Sequence, residues 1–243
     1  MGSLRQALRY EYRSLRTSPQ LSLIIGLFVL LMGVVLLSAI RDYTTLHQTE
    51  PLLTRLFQAL WVPSLLILPA LSVSVFFSRL PRQLLELPPW QMVFSKFVVA
   101  MTAYLGLWLF ASFSCEIAHW IAPSLPVEKC VAPHVRWGGL YFVTAWSSVL
   151  IAVDLWICSC TSAPMAALMA TSCAHFLILL FGGMFQGLAL LSSPMGYSLY
   201  TDHNLWTQLG DCCHGILDTR IVTGYGAVTF IFLCLAAITL RRE

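Results

Sequence analysis

Between Pro19 and Ile40 the chain reads PQLSLIIGLFVLLMGVVLLSAI, twenty-two residues without a charge. As a helix rising about 1.5 Å per residue this run is about 33 Å long, enough to cross the roughly 30 Å hydrocarbon core of a bilayer. It opens on a proline, which the first turn of a helix tolerates because the N–H it lacks would find no partner there. It closes at the charged pair Arg41–Asp42. A secretory leader has a shorter apolar core and ends at a small-residue cleavage site. Here Leu37-Ser38-Ala39 follows a full-length span, so the run reads as a retained first span.

Five further runs share this character. Leu56 to Ser78 is LFQALWVPSLLILPALSVSVFFS, with Pro63 and Pro69 inside it; membrane helices hold such prolines because neighbouring helices re-satisfy the freed carbonyls. The others lie at about 97–121, 138–160, 164–191 and 221–240, the fifth span being long enough to tilt or kink at Gly182–Gly183. Hydrophobic residues make up 58% of the 243 and charged residues 10%, against roughly 45–50% and 25% in soluble globular proteins. The mean hydropathy is +0.78. The expected fold is all-α: one polytopic transmembrane domain over residues 1–243, with six spans and no soluble domain.

Six spans place both termini on one side. Arg5, Arg9, Arg13, Arg16, Arg79, Arg82, Lys96, Arg241 and Arg242 then share that side, against Arg41, Arg55, Lys129, Arg136 and Arg220 on the other. The nine-to-five excess puts both termini in the cytoplasm. A formal net charge of +3 gives no reason to expect nucleic acid as a partner.

The segment 4–18 places Leu4, Leu8, Tyr12 and Leu15 at helical spacing and its four arginines on another face, a basic interfacial helix in which Arg5, Arg9 and Arg13 anchor to inner-leaflet lipids. The alternative is a solvated basic tail that only sets topology. The inner loop 78–96, SRLPRQLLELPPWQMVFSK, is too apolar for a free linker. A short helix burying Leu84, Leu85 and Leu87 would suit a partner's groove, or would pack under the chain's own bundle.

Ionisable residues inside a bilayer are costly and therefore informative. Glu116 falls near the outer end of the third span with His119 close by, Asp154 in the inner half of the fourth, and His175 near the middle of the fifth. Asp154 and His175 lie in spans joined by the short turn 161–163, so a proton or substrate relay through them is one reading. The other is that Asp154 pairs within the bundle while Glu116 and His119 are wet. Of eight cysteines, only Cys130, Cys212 and Cys213 fall in outer loops. A disulfide from Cys130 to one of the adjacent pair, an ordinary apolar role, and a soft-metal site with Asp211, His214 and His203 are the three readings. The spacing matches no standard zinc pattern, so no metal is assigned. His-Glu-x-x-His, Gly-x-Ser-x-Gly and a phosphate-binding loop are all missing from the sequence. No catalytic residue is expected, and if ATP is used another chain binds it.

The order of these features resembles a known family. A basic helix ending SLRTSP, the Pro-rich span LWVPSLLILPALS, an inner loop ending WQMVFSKF, VRWGGLYF entering the fourth span and HGILDTR (214–220) before the last are similar to the ABC-2 type transporter permeases. Within them, the chain most resembles the gliding-motility-associated ABC permease subfamily, whose Arg-Gly-Val-Ile-Asp-Thr-Arg segment HGILDTR resembles. The resemblance implies a type V exporter-like permease in the bacterial cytoplasmic (inner) membrane. It implies a partner ABC ATPase subunit that binds the ATP and Mg, and a second permease copy or a paralogous permease. It implies ATPase coupling through the loop 78–96, with Leu84, Leu85, Glu86 and Trp90 in contact. The output would be export or a mechanical change. FFSRLPRQLLEL departs from the Glu-rich stretch and Gly-Thr pair that usually open this loop in the family. The competing class is a stand-alone ion-coupled secondary transporter or channel using Asp154 and His175. An intramembrane enzyme would need Cys, His and Asp to converge.

Overall fold

The computed structural model describes residues 4–46, 52–78, 87–121, 133–189 and 205–241. These form eight helices, α1 (Leu4–Thr17), α2 (Pro19–Leu46), α3 (Leu52–Phe76), α4 (Pro89–Ile121), α5 (Pro133–Ser159), α6 (Pro164–Ala189), α7 (Leu205–Cys213) and α8 (Thr219–Leu240), with no strand among the described residues. Four of them, α2, α4, α5 and α6, begin on a proline, whose fixed φ suits the first helical position.

At the centre stands α5, packed against α3, α4, α6, α7 and α8 and burying Phe142, Val143, Leu150, Ile151 and Leu155. Phe57 of α3 stacks on Trp108 of α4, ring centroids 5.1 Å apart, while Phe28 and Tyr104 meet the same indole edge-on. Helices in lipid gain little from apolar burial against one another, so small residues that permit close approach decide where they meet. The start of α5 shows this twice. A Cβ on Gly139 would fall 2.7 Å from the Phe57 ring, and one on Gly138 would fall 1.7 Å from the carbonyl oxygen of Cys212 in α7.

The periphery is apolar and open. Leu23, Leu30 and Leu37 of α2, Met165, Met169 and Phe176 of α6, and Phe230, Ile231 and Ile238 of α8 are all more than half exposed. Contiguous apolar surface on this scale is foreign to a water-soluble monomer and suits lipid. Among the described residues, α2, α4, α5 and α8 are each long and apolar enough to cross a membrane, and α3 makes a fifth when its two halves count as one span. The described residues are those of an all-helical polytopic membrane protein, with four to five such helices among them. In α6, the stretch Pro164–Leu180 is apolar but shorter.

The bend in α3 has a cause in sequence. Leu52–Trp61 and Pro63–Phe76 meet at 55°, where Pro63 removes a helical N–H and its ring crowds the preceding turn. Several boundaries differ from those read in the sequence. Helix α4 begins at Pro89, so Trp90 and Lys96 belong to its first turns and not to the loop. Helix α5 begins at Pro133, and the nine-residue α7 occupies part of the outer segment read as loop. Helix α7 stops at Gly215, φ 83°, where the Gly215 N–H donates to Cys212 O and the Ile216 N–H to Asp211 O, the paired bonds of a Schellman stop. Three residues later Asp218 caps α8 by accepting the Arg220 N–H at 2.8 Å.

Candidate functional site

Two buried polar clusters interrupt the apolar bundle. The first joins α1, α3 and α4. The sequence groups Leu4, Leu8, Tyr12 and Leu15 on the apolar face of an interfacial α1, whereas the residues buried against the bundle are Ala7, Glu11 and Leu15, with Tyr12 exposed and bonded to Thr102. The rotation follows from Glu11. Its carboxylate is 1% exposed and meets the Lys96 ammonium, 3% exposed, at 2.8 Å. Lys96 also donates to Val75 O at 2.9 Å and to Ser78 Oγ at 3.1 Å, and Ser78 donates to Glu11 Oε2 at 2.6 Å. The three ammonium protons thus have three acceptors, which is how a buried charge is accommodated. Phe76 lies 5.8 Å from the same ammonium. Opposite this face, Arg5, Arg9 and Arg13 are exposed.

A cavity of about 450 Å³ opens beside this joint, between the end of α1, the start of α2 and the last turn of α3, and is lined in part by Glu11, Ser14, Ser18, Ser74 and Ser78.

The second cluster joins α3, α5 and α6. Asp154 is fully buried and His175 nearly so, and His175 Nε2 stands 3.0 Å from Asp154 Oδ1. The contact is short, but the oxygen lies off the line an N–H would take, so charge rather than a linear hydrogen bond makes it. On its other side, His175 Nδ1 lies 3.0 Å from the carbonyl of Leu65. That carbonyl is free because the residue four positions on is Pro69, which has no N–H to give it. A carbonyl only accepts, so Nδ1 carries a hydrogen. Ser72 Oγ, close enough to act on the carboxylate, completes no hydrogen bond of its own.

The remaining sequence candidates are scattered. Glu116 pairs with Arg136, whose guanidinium lies over the Phe113 ring at 4.7 Å. Glu116 is therefore partnered and half exposed. Cys212 and Cys213 are free buried thiols in α7. Burial, with Asp211 beside it, pushes the Cys212 thiol up to about 11, and burial next to Cys212 pushes Cys213 up to about 12. Both are protonated, unreactive thiols at neutral pH. Leu84, Leu85, Glu86, Cys130 and His203 lie outside the described residues, as does the side chain of His119. Among the described residues, no group of three or more His, Cys, Asp or Glu is placed to hold a metal ion. Trp90, on the first turn of α4, is more than half exposed.

Sequence reading missed Glu11 and Lys96 as a pair. A signal was present, since Lys96 is the single charge between Pro89 and Cys115, and a lone cation in an apolar helix needs a counter-charge. The Leu65 carbonyl was implicit in Pro69, although nothing local to α3 names His175 as its donor. No family model, curated protein or solved structure matches the chain.

Proposed function

We propose that the chain is the membrane-spanning permease subunit of an ATP-driven ABC-2 type transporter, closest to the gliding-motility-associated subfamily. It has six spans and both termini in the cytoplasm of a bacterium. A separate ABC ATPase, holding ATP and Mg, docks beneath the segment 78–96, and a second permease copy or a paralogue completes the membrane pair. The ordered sequence resemblance supports this reading.

The observation that carries it is the joint at Glu11. Ser78 and Lys96, the residues that bound the proposed coupling loop, are bonded to each other and to the same carboxylate of α1. A push on the loop would therefore reach α3, α4 and α1 together, which suits a rigid-body switch of packed helices. The exposed Arg5, Arg9 and Arg13 hold α1 against anionic lipid while the joint moves. No side chain of this chain performs covalent chemistry in the scheme.

The test is affinity purification of the tagged full-length chain from its native membrane. An ABC ATPase is expected to come with it, and to be lost when Leu84, Leu85 and Glu86 are replaced by alanine or when Trp90 is. Full retention of the ATPase by both variants would remove the loop from the coupling scheme.

A further inference from the structure

Helix α6 buries Ala167, Thr171 and His175, one turn apart, against the rest of the bundle, with Leu168, Ile178 and Leu179 packed beside them, while Met165, Met169 and Phe176 face outward. Ala167 packs beside Val73 and Cys158. Thr171 bonds only within its own helix, to Ala167 O and Leu168 O. His175 is thus the polar anchor of α6 in the described bundle, bonded to α3 and in contact with α5. It sits eleven residues beyond Pro164, about 16 Å along the helix and so near the middle of a bilayer core.

The proton inventory of this anchor is constrained. Nδ1 must carry a hydrogen because it faces the Leu65 carbonyl. With only that hydrogen, Nε2 would present a lone pair to a carboxylate oxygen 3.0 Å away. In a site with no water exposure, a carboxylate oxygen set against an unprotonated ring nitrogen leaves two electron-rich atoms uncompensated, so the pair holds one further proton. That proton rests on Nε2, so that imidazolium and carboxylate meet as a charge pair and not through a linear hydrogen bond. Asp154 Oδ1, Asp154 Oδ2, Ser72 Oγ and His175 Nε2 are all buried and complete no linear hydrogen bond within the described residues, so the place has polar capacity that only the charge of the pair offsets.

We propose that Asp154 and His175 form an occluded one-proton binding site that latches α6 to α3 and α5. The proton comes from water and returns to it, and no bond other than N–H or O–H forms or breaks. Its loss sets two acceptors against each other at the only polar anchor described for α6, so release of the proton and release of the helix are linked. The groups facing the pair are few. Helix α3 brings the Leu65 carbonyl and Ser72, α5 brings the Cys158 thiol one turn on, and α6 brings Thr171. Lys96 of α4 acts on Cys158 and is itself held by Glu11 of α1. The inference goes beyond the ATPase-driven reading and stands without it.

The test uses the full-length chain in lipid nanodiscs. In ¹⁵N-histidine spectra at pH 7.5, the His175 signals are identified by their loss in His175→Gln. Nδ1 is expected to be protonated, with a second proton on Nε2, and Asp154→Asn should remove that second proton while leaving Nδ1–H in place. A bare Nδ1, or a His175 spectrum unchanged by Asp154→Asn, overturns the proposal. Hydrogen exchange over residues 164–180 reads the latch independently. Asp154→Ala should accelerate it at least tenfold, while Asp154→Asn, whose amide can still donate to Nε2, should stay near wild type and lose any pH dependence. Wild-type exchange in both variants, with wild-type pH dependence in Asp154→Asn, contradicts the latch.

Discussion

Replacing Glu11 by alanine strands the Lys96 ammonium in a site where its side chain is 3% exposed. Two acceptors remain, Val75 O at 2.9 Å and Ser78 Oγ at 3.1 Å, but neither carries a charge, and Ser78 exchanges its charged acceptor at 2.6 Å for the Val75 carbonyl at 2.8 Å. Removing one member of a buried pair costs about 3–5 kcal/mol, because the other is left uncompensated. For a chain of this size each kcal/mol lowers the melting temperature by about 2–4 °C, so Glu11→Ala should melt about 6–20 °C below wild type. Ser78→Ala removes a hydrogen bond to a charged group, worth about 1.5–3 kcal/mol. The double variant Glu11→Leu with Lys96→Met removes both charges and keeps the volume. Such swaps are often neutral or stabilising, so it should melt within a few degrees of wild type. The assay is tryptophan fluorescence of the full-length chain in nanodiscs, heated at one fixed rate, with wild type, Glu11→Leu, Lys96→Met and the double variant compared as the four members of a cycle beside Glu11→Ala. A Glu11→Ala protein as stable as wild type would refute the reasoning. So would a double variant that loses the sum of the two single losses.

Gly138→Ala should be strongly destabilising, by about 3 kcal/mol, since the new methyl would lie 1.7 Å from the Cys212 carbonyl and α7 would have to move; melting and faster alkylation of Cys212 and Cys213 would report it together. In the native protein at pH 8, a Cys212 thiol held at about 11 is ionised only to roughly one part in a thousand. Maleimide labelling of Cys212 should therefore be slow, rise about tenfold per pH unit toward 11 and become fast on unfolding; fast labelling at pH 7 would contradict the burial. Pro69→Ala supplies an N–H to the Leu65 carbonyl and makes His175 dispensable there. The melting cost of His175→Gln should then shrink by about 1 kcal/mol, and an unchanged cost would show that the carbonyl has no need of the histidine.

The apolar runs and prolines made most of the helices legible, because a span needs a length of hydrocarbon and little else. Four of the helices begin at a proline visible in the sequence, and the end of α7 and the start of α8 are written in Gly215 and Asp218. Less legible was whatever depends on a distant partner. Helix α1 carries an amphipathic pattern with Tyr12 on its apolar face, yet Lys96, eighty-five residues away, turns Glu11 inward instead. Asp154 and His175 could be suspected from the short turn between their helices. Their meeting depends on a third element, the Pro69-freed carbonyl of α3, which neither residue's surroundings in sequence reveal. The nine residues of α7 were hidden because a helix so short, between polar segments, leaves too few turns for a periodic pattern.

Reconstitution of the purified chain into liposomes, with and without the ABC ATPase recovered from the same membrane, tests the central claim most directly. The expected result is ATP hydrolysis that rises when the chain is present and falls back to the level of the ATPase alone with Trp90→Ala, a residue exposed within the proposed docking segment. Ion-driven transport by the chain alone, abolished by Asp154→Asn and indifferent to any ATPase, would contradict it.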